Sequence, residues 1–99
     1  MRLTQEQIRT ILSVTSRFVN ERADVYLFGS RLDDKVRGGD LDLLIETDDH
    51  LPLLNQARIK LDLESSLNLP VDIVARDLRR SPTPFQILAR AKAERLVAE

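Results

Sequence analysis

Residues 40–46 read Asp40-Leu41-Asp42-Leu43-Leu44-Ile45-Glu46. In an extended chain Asp40, Asp42, Leu44 and Glu46 share one side and Leu41, Leu43 and Ile45 the other, the period of a strand with one buried face. The apolar side is expected to face helices. On the opposite side two carboxylates stand at positions i and i+2, with Cα atoms roughly 6.5 to 7 Å apart, close enough to converge on a cation between them.

Working outward from this strand, the run Asp24-Val25-Tyr26-Leu27-Phe28 is short, β-branched and aromatic, and it stops at Gly29. It reads as a buried strand. Residues 29–39 hold all three glycines of the chain, so they form a turn-rich connection. Downstream, Pro70 cannot continue a helix, and Val71-Asp72-Ile73-Val74-Ala75 reads as a third strand. If Val71 and Ile73 turn to the core, Asp72 must lie on the side that carries Asp40 and Asp42, because a period of two leaves no other placement.

Helices fill the remaining segments. Thr4 and Gln7 form a capping-box pattern, followed at helical spacing by Ile8, Ile11, Leu12, Thr15, Phe18 and Val19, which predicts a helix from about Gln5 to Asn20. Residues 51–67 are helical in composition, with Leu54, Ala57 and Leu61 as the expected inward row. Thr83, Pro84 and Gln86 give a second capping box with proline at the first helical position, and Phe85, Leu88, Ala89 and Leu96 are expected to carry the inward face that follows. The predicted order is α-β-β-α-β-α, an α/β (α+β) fold with a small mixed sheet and all three helices on the Leu41, Leu43 and Ile45 face.

Composition bounds what such a fold does. Ninety-nine residues allow a single domain over 1–99, and 42% hydrophobic with 31% charged residues is the balance of a soluble globular protein. Fifteen basic against sixteen acidic residues leave a net charge of −1, which offers no general field for a polyanion, so nucleic acid is not the expected partner. Without cysteine the chain has neither disulfides nor thiolate chemistry. The polar stretch Met1–Thr10 lacks the apolar centre of a signal peptide, and no apolar run approaches the roughly 20 residues of a membrane span. The expected location is the cytoplasm.

Three carboxylates on one side of a small sheet repel one another unless divalent cations convert the repulsion into ligation, and a set of oxygen donors suits Mg²⁺ or Mn²⁺. Two such ions roughly 3.5 to 4 Å apart are the usual device for in-line displacement at phosphorus. Gly29 and Ser30 supply a phosphate cradle, since a glycine at a strand end lets the backbone approach an anion and the Ser hydroxyl donates to it, while Arg31 adds a charged donor.

The ordered set Gly29-Ser30, nine residues, Asp40-Leu41-Asp42, then Pro70-Val71-Asp72-Ile73-Val74 resembles the minimal nucleotidyltransferases of the polymerase-beta-like superfamily. The resemblance spans roughly residues 25 to 97 and includes the spacing of Ile87 and Ala91 in the closing helix. Many relatives carry Ser before the first aspartate where this chain has Gly39, which alters the turn but removes no ligand. The resemblance implies that Asp40 and Asp42 bind two metal ions and that Asp72 binds the catalytic one or activates the acceptor hydroxyl. It also implies that Gly29 and Ser30 hold the triphosphate of ATP or another NTP. The reaction is then attack of an acceptor hydroxyl on the α-phosphate with release of pyrophosphate. Stand-alone members resemble antitoxins that transfer AMP to a tyrosine of a HEPN ribonuclease toxin. The alternative is a catalytically silent, nucleotide-binding antitoxin that works by occlusion.

Other polar residues have plainer readings. Glu46 is expected at the surface, Tyr26 in packing and His50 at a helix terminus. Arg76, Arg79 and Arg80 fall in a basic loop over 76–82, which is either a solvated face or a set of edge contacts to nucleotide or partner, and Lys35 and Arg37 belong to a polar loop.

Overall fold

Local chemistry starts two of the helices. In the computed structural model, which describes residues 3–19, 22–29 and 40–98, the helix Gln5–Phe18 (α1) opens on a reciprocal cap. Thr4 Oγ1 accepts from the Gln7 amide at 3.1 Å and Gln7 Oε1 accepts from the Thr4 amide at 2.9 Å. The helix Pro84–Ala91 (α3) repeats the device with Thr83 and Gln86. Each cap satisfies amides that the first helical turn leaves without partners. The helix Leu53–Leu67 (α2) follows Pro52 without a side-chain cap and ends at Asn68, whose left-handed backbone (φ 56°) turns its amide onto the Glu64 carbonyl.

Four strands form one mixed sheet: Ala23–Phe28 (β1), Leu41–Thr47 (β2), Val71–Asp77 (β3) and the two-residue Glu94–Arg95 (β4), in the order β3-β2-β1-β4. β1 runs antiparallel to β2 and to β4, while β2 and β3 are parallel with α2 as the crossover that a parallel pair requires. β4 was not anticipated, because two exposed residues carry no periodicity to read. It is joined to β1 by Arg95 donating to Asp24 at 3.0 Å.

The main core lies on the predicted face of the sheet. Ile8, Ile11 and Val14 of α1 and Ile59 and Leu63 of α2 close over Val25, Leu27, Leu41, Leu43, Ile45 and Val71. Three expectations about the helices are corrected. The inward row of α2 is Ile59 and Leu63, not Leu54, Ala57 and Leu61; Leu54 and Leu61 are more than half exposed. This helix carries leucine on both sides, so only the position of the sheet selects which side is buried. α3 ends at Ala91, so Leu96 is not helical; it enters the main core beyond β4, its amide bonded to the Val25 carbonyl at 2.8 Å. Finally, α3 contacts the opposite face of the sheet, through Phe85 against Phe28 and Arg90 against Tyr26 and Glu46. Ala89 is its buried residue, whereas Phe85 and Leu88 are exposed. Leu44, on the carboxylate-bearing side of β2, is fully buried, which explains why that side takes a helix as well.

Candidate active site

β2 lies between β1 and β3, so its residues have a neighbour on each side. Asp42 pairs with Phe28 of β1 and with Asp72 of β3. In adjacent strands about 4.8 Å apart, directly paired residues point to the same face. Asp72 therefore lies on the carboxylate side of the sheet, as the period of two predicts, and is the neighbour of Asp42 across the β2–β3 pair. Asp40 sits two residues before Asp42, just outside the strand, and is exposed, as is Asp72, while Asp42 is half-buried.

Gly29 follows the last residue of β1 and has φ +79°, a left-handed conformation that a side chain disfavours. A β-carbon added there would collide with the Asp42 carboxylate. The glycine thus brings bare backbone against the carboxylate, the close approach that a metal-bridged phosphate needs. Ser30 and Arg31, the other two expected phosphate contacts, lie outside the described residues, as do Lys35, Arg37 and Gly39.

Electrostatics single out Asp42. Its partial burial, then the charges of Asp72 and Asp40, raise its carboxyl above the ordinary aspartate value. Both neighbours are thus close enough to be felt. Among the described residues no three acidic, His or Cys side chains close into a ready-made metal cluster. The donor set nonetheless fits a hard divalent ion: it is all carboxylate oxygen, and Gly29 keeps the approach to it narrow but free of a side chain.

The start of β3 is held by two α2 residues, Lys60 and Glu64, whose role no local pattern in the sequence signals. Glu64 accepts from the Val71 amide at 2.9 Å, and Lys60 donates to the Val71 carbonyl and to Glu64 (3.2 Å). The Val71 amide, then Lys60, hold the Glu64 carboxyl below its usual value. Lys60 Nζ also lies 3.9 Å from Asp72 Oδ1, so the residue before Asp72 and Asp72 itself are both tethered to one helical turn.

Other expectations are revised. Glu46 is not a surface residue; it is 9% exposed, with Arg90 at 3.6 Å and Arg76 at 3.9 Å. Arg76 lies within β3 rather than in a loop. Its pairing with Glu46 follows from the register that also pairs Asp42 with Asp72, a link visible only once the strands are aligned. Tyr26 packs as expected, its ring under the Arg90 guanidinium at 4.1 Å and its hydroxyl receiving an Arg90 hydrogen bond at 3.2 Å. Arg79 and Arg80 turn back onto Asp77 at the far end of β3 from Asp72, and Arg79 also pairs with Asp49. They do not rim the carboxylates. His50 is exposed, donating its amide to Asp49.

A family model described as a nucleotidyltransferase domain matches residues 7–96, which spans all of these features. The chain belongs to this nucleotidyltransferase family. No curated protein matches it significantly. Among solved structures, the nucleotidyltransferase is similar to a chain provisionally assigned as a minimal nucleotidyltransferase, with 30% identity over 91% of this chain and 89% of that one and a TM-score of 0.68. It also shares its fold with a chain of a complex between a tri-AMPylated HEPN toxin and an MNT antitoxin of Shewanella oneidensis (22% identity, 97% and 74% of the two chains, TM-score 0.70). A third likeness is to a toxin–antitoxin structure with AMP-PNP (23% identity, 98% and 75%, TM-score 0.73). The mixed sheet and three helices are thus those of the nucleotidyltransferase fold. Among the described residues of this domain, no helix is long and apolar enough to cross a membrane.

Proposed function

We propose that this nucleotidyltransferase, as a single domain in the cytoplasm, transfers AMP from ATP to a hydroxyl of a HEPN-type protein partner. Asp40, Asp42 and Asp72 serve as metal ligands and catalytic carboxylates, and Gly29, Ser30 and Arg31 receive the triphosphate. The observation that carries this reading is the direct pairing of Asp42 with Asp72 beside the side-chain-free turn at Gly29. The choice of partner is supported by the complex of a tri-AMPylated HEPN toxin with an MNT antitoxin that the fold resembles, and the choice of nucleotide by the structure with AMP-PNP.

When bound, two Mg²⁺ ions, or Mn²⁺ in their place, supply charge neutralisation at the attacking and leaving oxygens of an in-line displacement. The chain's own residues do the rest. Asp42, on an inner strand and paired with Asp72, is partly buried, where the attraction between its carboxylate and a cation is strengthened. At Gly29 no side chain stands between the turn and that carboxylate, so the triphosphate meets bare backbone there. Asp72 is open to solvent and hence to an incoming acceptor; it takes the proton as the acceptor oxygen bonds to the α-phosphorus and pyrophosphate leaves.

The test is to mix the protein with a HEPN-type protein encoded beside it, ATP and Mg²⁺, and to weigh the partner. An addition of about 329 Da per AMP is expected, the mass of AMP joined with loss of pyrophosphate. The Asp40→Ala and Asp42→Ala variants should add none. If the partner is bound and inhibited equally by wild type and both variants with no mass change, occlusion is the mechanism instead.

A further inference from the structure

The carboxylates and the Gly29 turn account for the phosphates of a nucleoside triphosphate but leave its base without a contact. Next to them lies an aromatic residue that the fold does not bury. Phe28 is paired directly with Asp42 on the same face of the sheet. Its ring meets that of Phe85, from the first turn of α3, edge to face, with centroids 6.3 Å apart and planes at 76°. Phe28 is half-buried, but Phe85 is 57% exposed, and Leu88, one turn further along α3, is 72% exposed.

Phe85 and Leu88 are exposed together on one helix, and a contiguous apolar patch of this kind marks an interaction site. Phe28 links Phe85 to the carboxylates: it is the strand partner of Asp42 and its ring is the one that Phe85 meets, so the Phe85 ring lies towards the carboxylate end of the sheet. Phe28 packs edge to face with the Phe85 ring and leaves more than half of that residue open to a ligand. A flat aromatic ring held in this way beside a phosphate site is a stacking surface for a base.

We infer that Phe85, braced by Phe28, is the stacking platform for the nucleobase of the donor triphosphate. This rests on the nucleotidyl-transfer reading above. Because stacking needs only a π-face, the platform accepts any base and favours the larger purines, so selectivity between ATP and GTP is weak while both exceed CTP and UTP.

Titration calorimetry with Mg²⁺ separates the base from the phosphates when ATP is compared with inorganic tripolyphosphate. In Phe85→Ala the dissociation constant for ATP should rise by roughly an order of magnitude, the usual effect of removing an aromatic from a stacked base, while that for tripolyphosphate stays unchanged. Phe85→Tyr should bind ATP like wild type, and the preference for purines over pyrimidines should shrink in Phe85→Ala. Since the chain contains no tryptophan, Phe85→Trp supplies a single tryptophan, excited apart from Tyr26 at its red edge, whose emission ATP, but not tripolyphosphate, should quench. Unchanged ATP affinity in Phe85→Ala would overturn the inference and leave the ring to a partner surface. An equal loss of both ligands would overturn it too, by showing that the ring supports the phosphate site instead. If wild type binds neither ligand, the nucleotidyl-transfer reading fails and takes the platform with it.

Discussion

Replacing Gly29 with alanine tests whether the turn after β1 is built around the Asp42 carboxylate. At φ +79° a β-carbon incurs the left-handed penalty of about 1–2 kcal/mol. The new methyl also overlaps the Asp42 carboxylate, and overpacking of this kind costs about 1–3 kcal/mol. The sum is about 2–5 kcal/mol. In an Asp42→Ala background the carboxylate is gone and the nearest remaining atom is the residue 42 β-carbon at 3.3 Å, a tight contact that a shift of a few tenths of an ångström relieves, so mainly the backbone penalty of about 1–2 kcal/mol should survive. The two substitutions are therefore coupled by about 1–3 kcal/mol, readable as a double-mutant cycle from urea or thermal melts of four proteins. In a domain of this size each kcal/mol moves Tm by about 4–8 °C. A functional consequence follows. With the carboxylate displaced, Mg²⁺-ATP should raise the Tm of wild type but not of Gly29→Ala. Equal costs of Gly29→Ala in both backgrounds would refute the contact between the turn and the carboxylate.

The raised carboxyl of Asp42 makes a prediction about pH. A folded value above the unfolded one means that stability is lost as pH rises from the ordinary aspartate value through the raised one, and stays lost above it. Asp42→Asn should accordingly be more stable than wild type at neutral pH without metal, with the gap closing in acid; a gap that widens in acid contradicts the cluster. The packing of α2 gives a contrast of neighbours: Ile59→Ala, at a fully buried site, should cost about 2–5 kcal/mol, whereas Leu61→Ala, 64% exposed, should stay within about 0.5 kcal/mol. Comparable losses from the two in denaturant melts would mean that the buried face of the helix is misassigned.

Much of the site is legible in the chain because its grammar is local. The alternation over residues 40–46 decides which side of β2 carries Asp40 and Asp42, and the same period places Asp72 without knowledge of its neighbour. Gly29 announces its turn because few other residues tolerate its conformation, and Thr4 and Thr83 begin their helices through bonds that span three residues. Tertiary structure decided what the period could not. α2 carries leucine on two sides, and only the sheet chose Ile59 and Leu63 over Leu54 and Leu61. Glu46 shares the parity of Asp42, yet Arg76 and Arg90, distant in sequence, bury it and turn an apparent surface charge into a structural one. α3 crosses to the carboxylate side, where Leu44 and Tyr26 need cover, and thereby brings Phe85 to Phe28. These outcomes depend on which surfaces meet across the fold, and a contact between distant segments leaves no period in either of them.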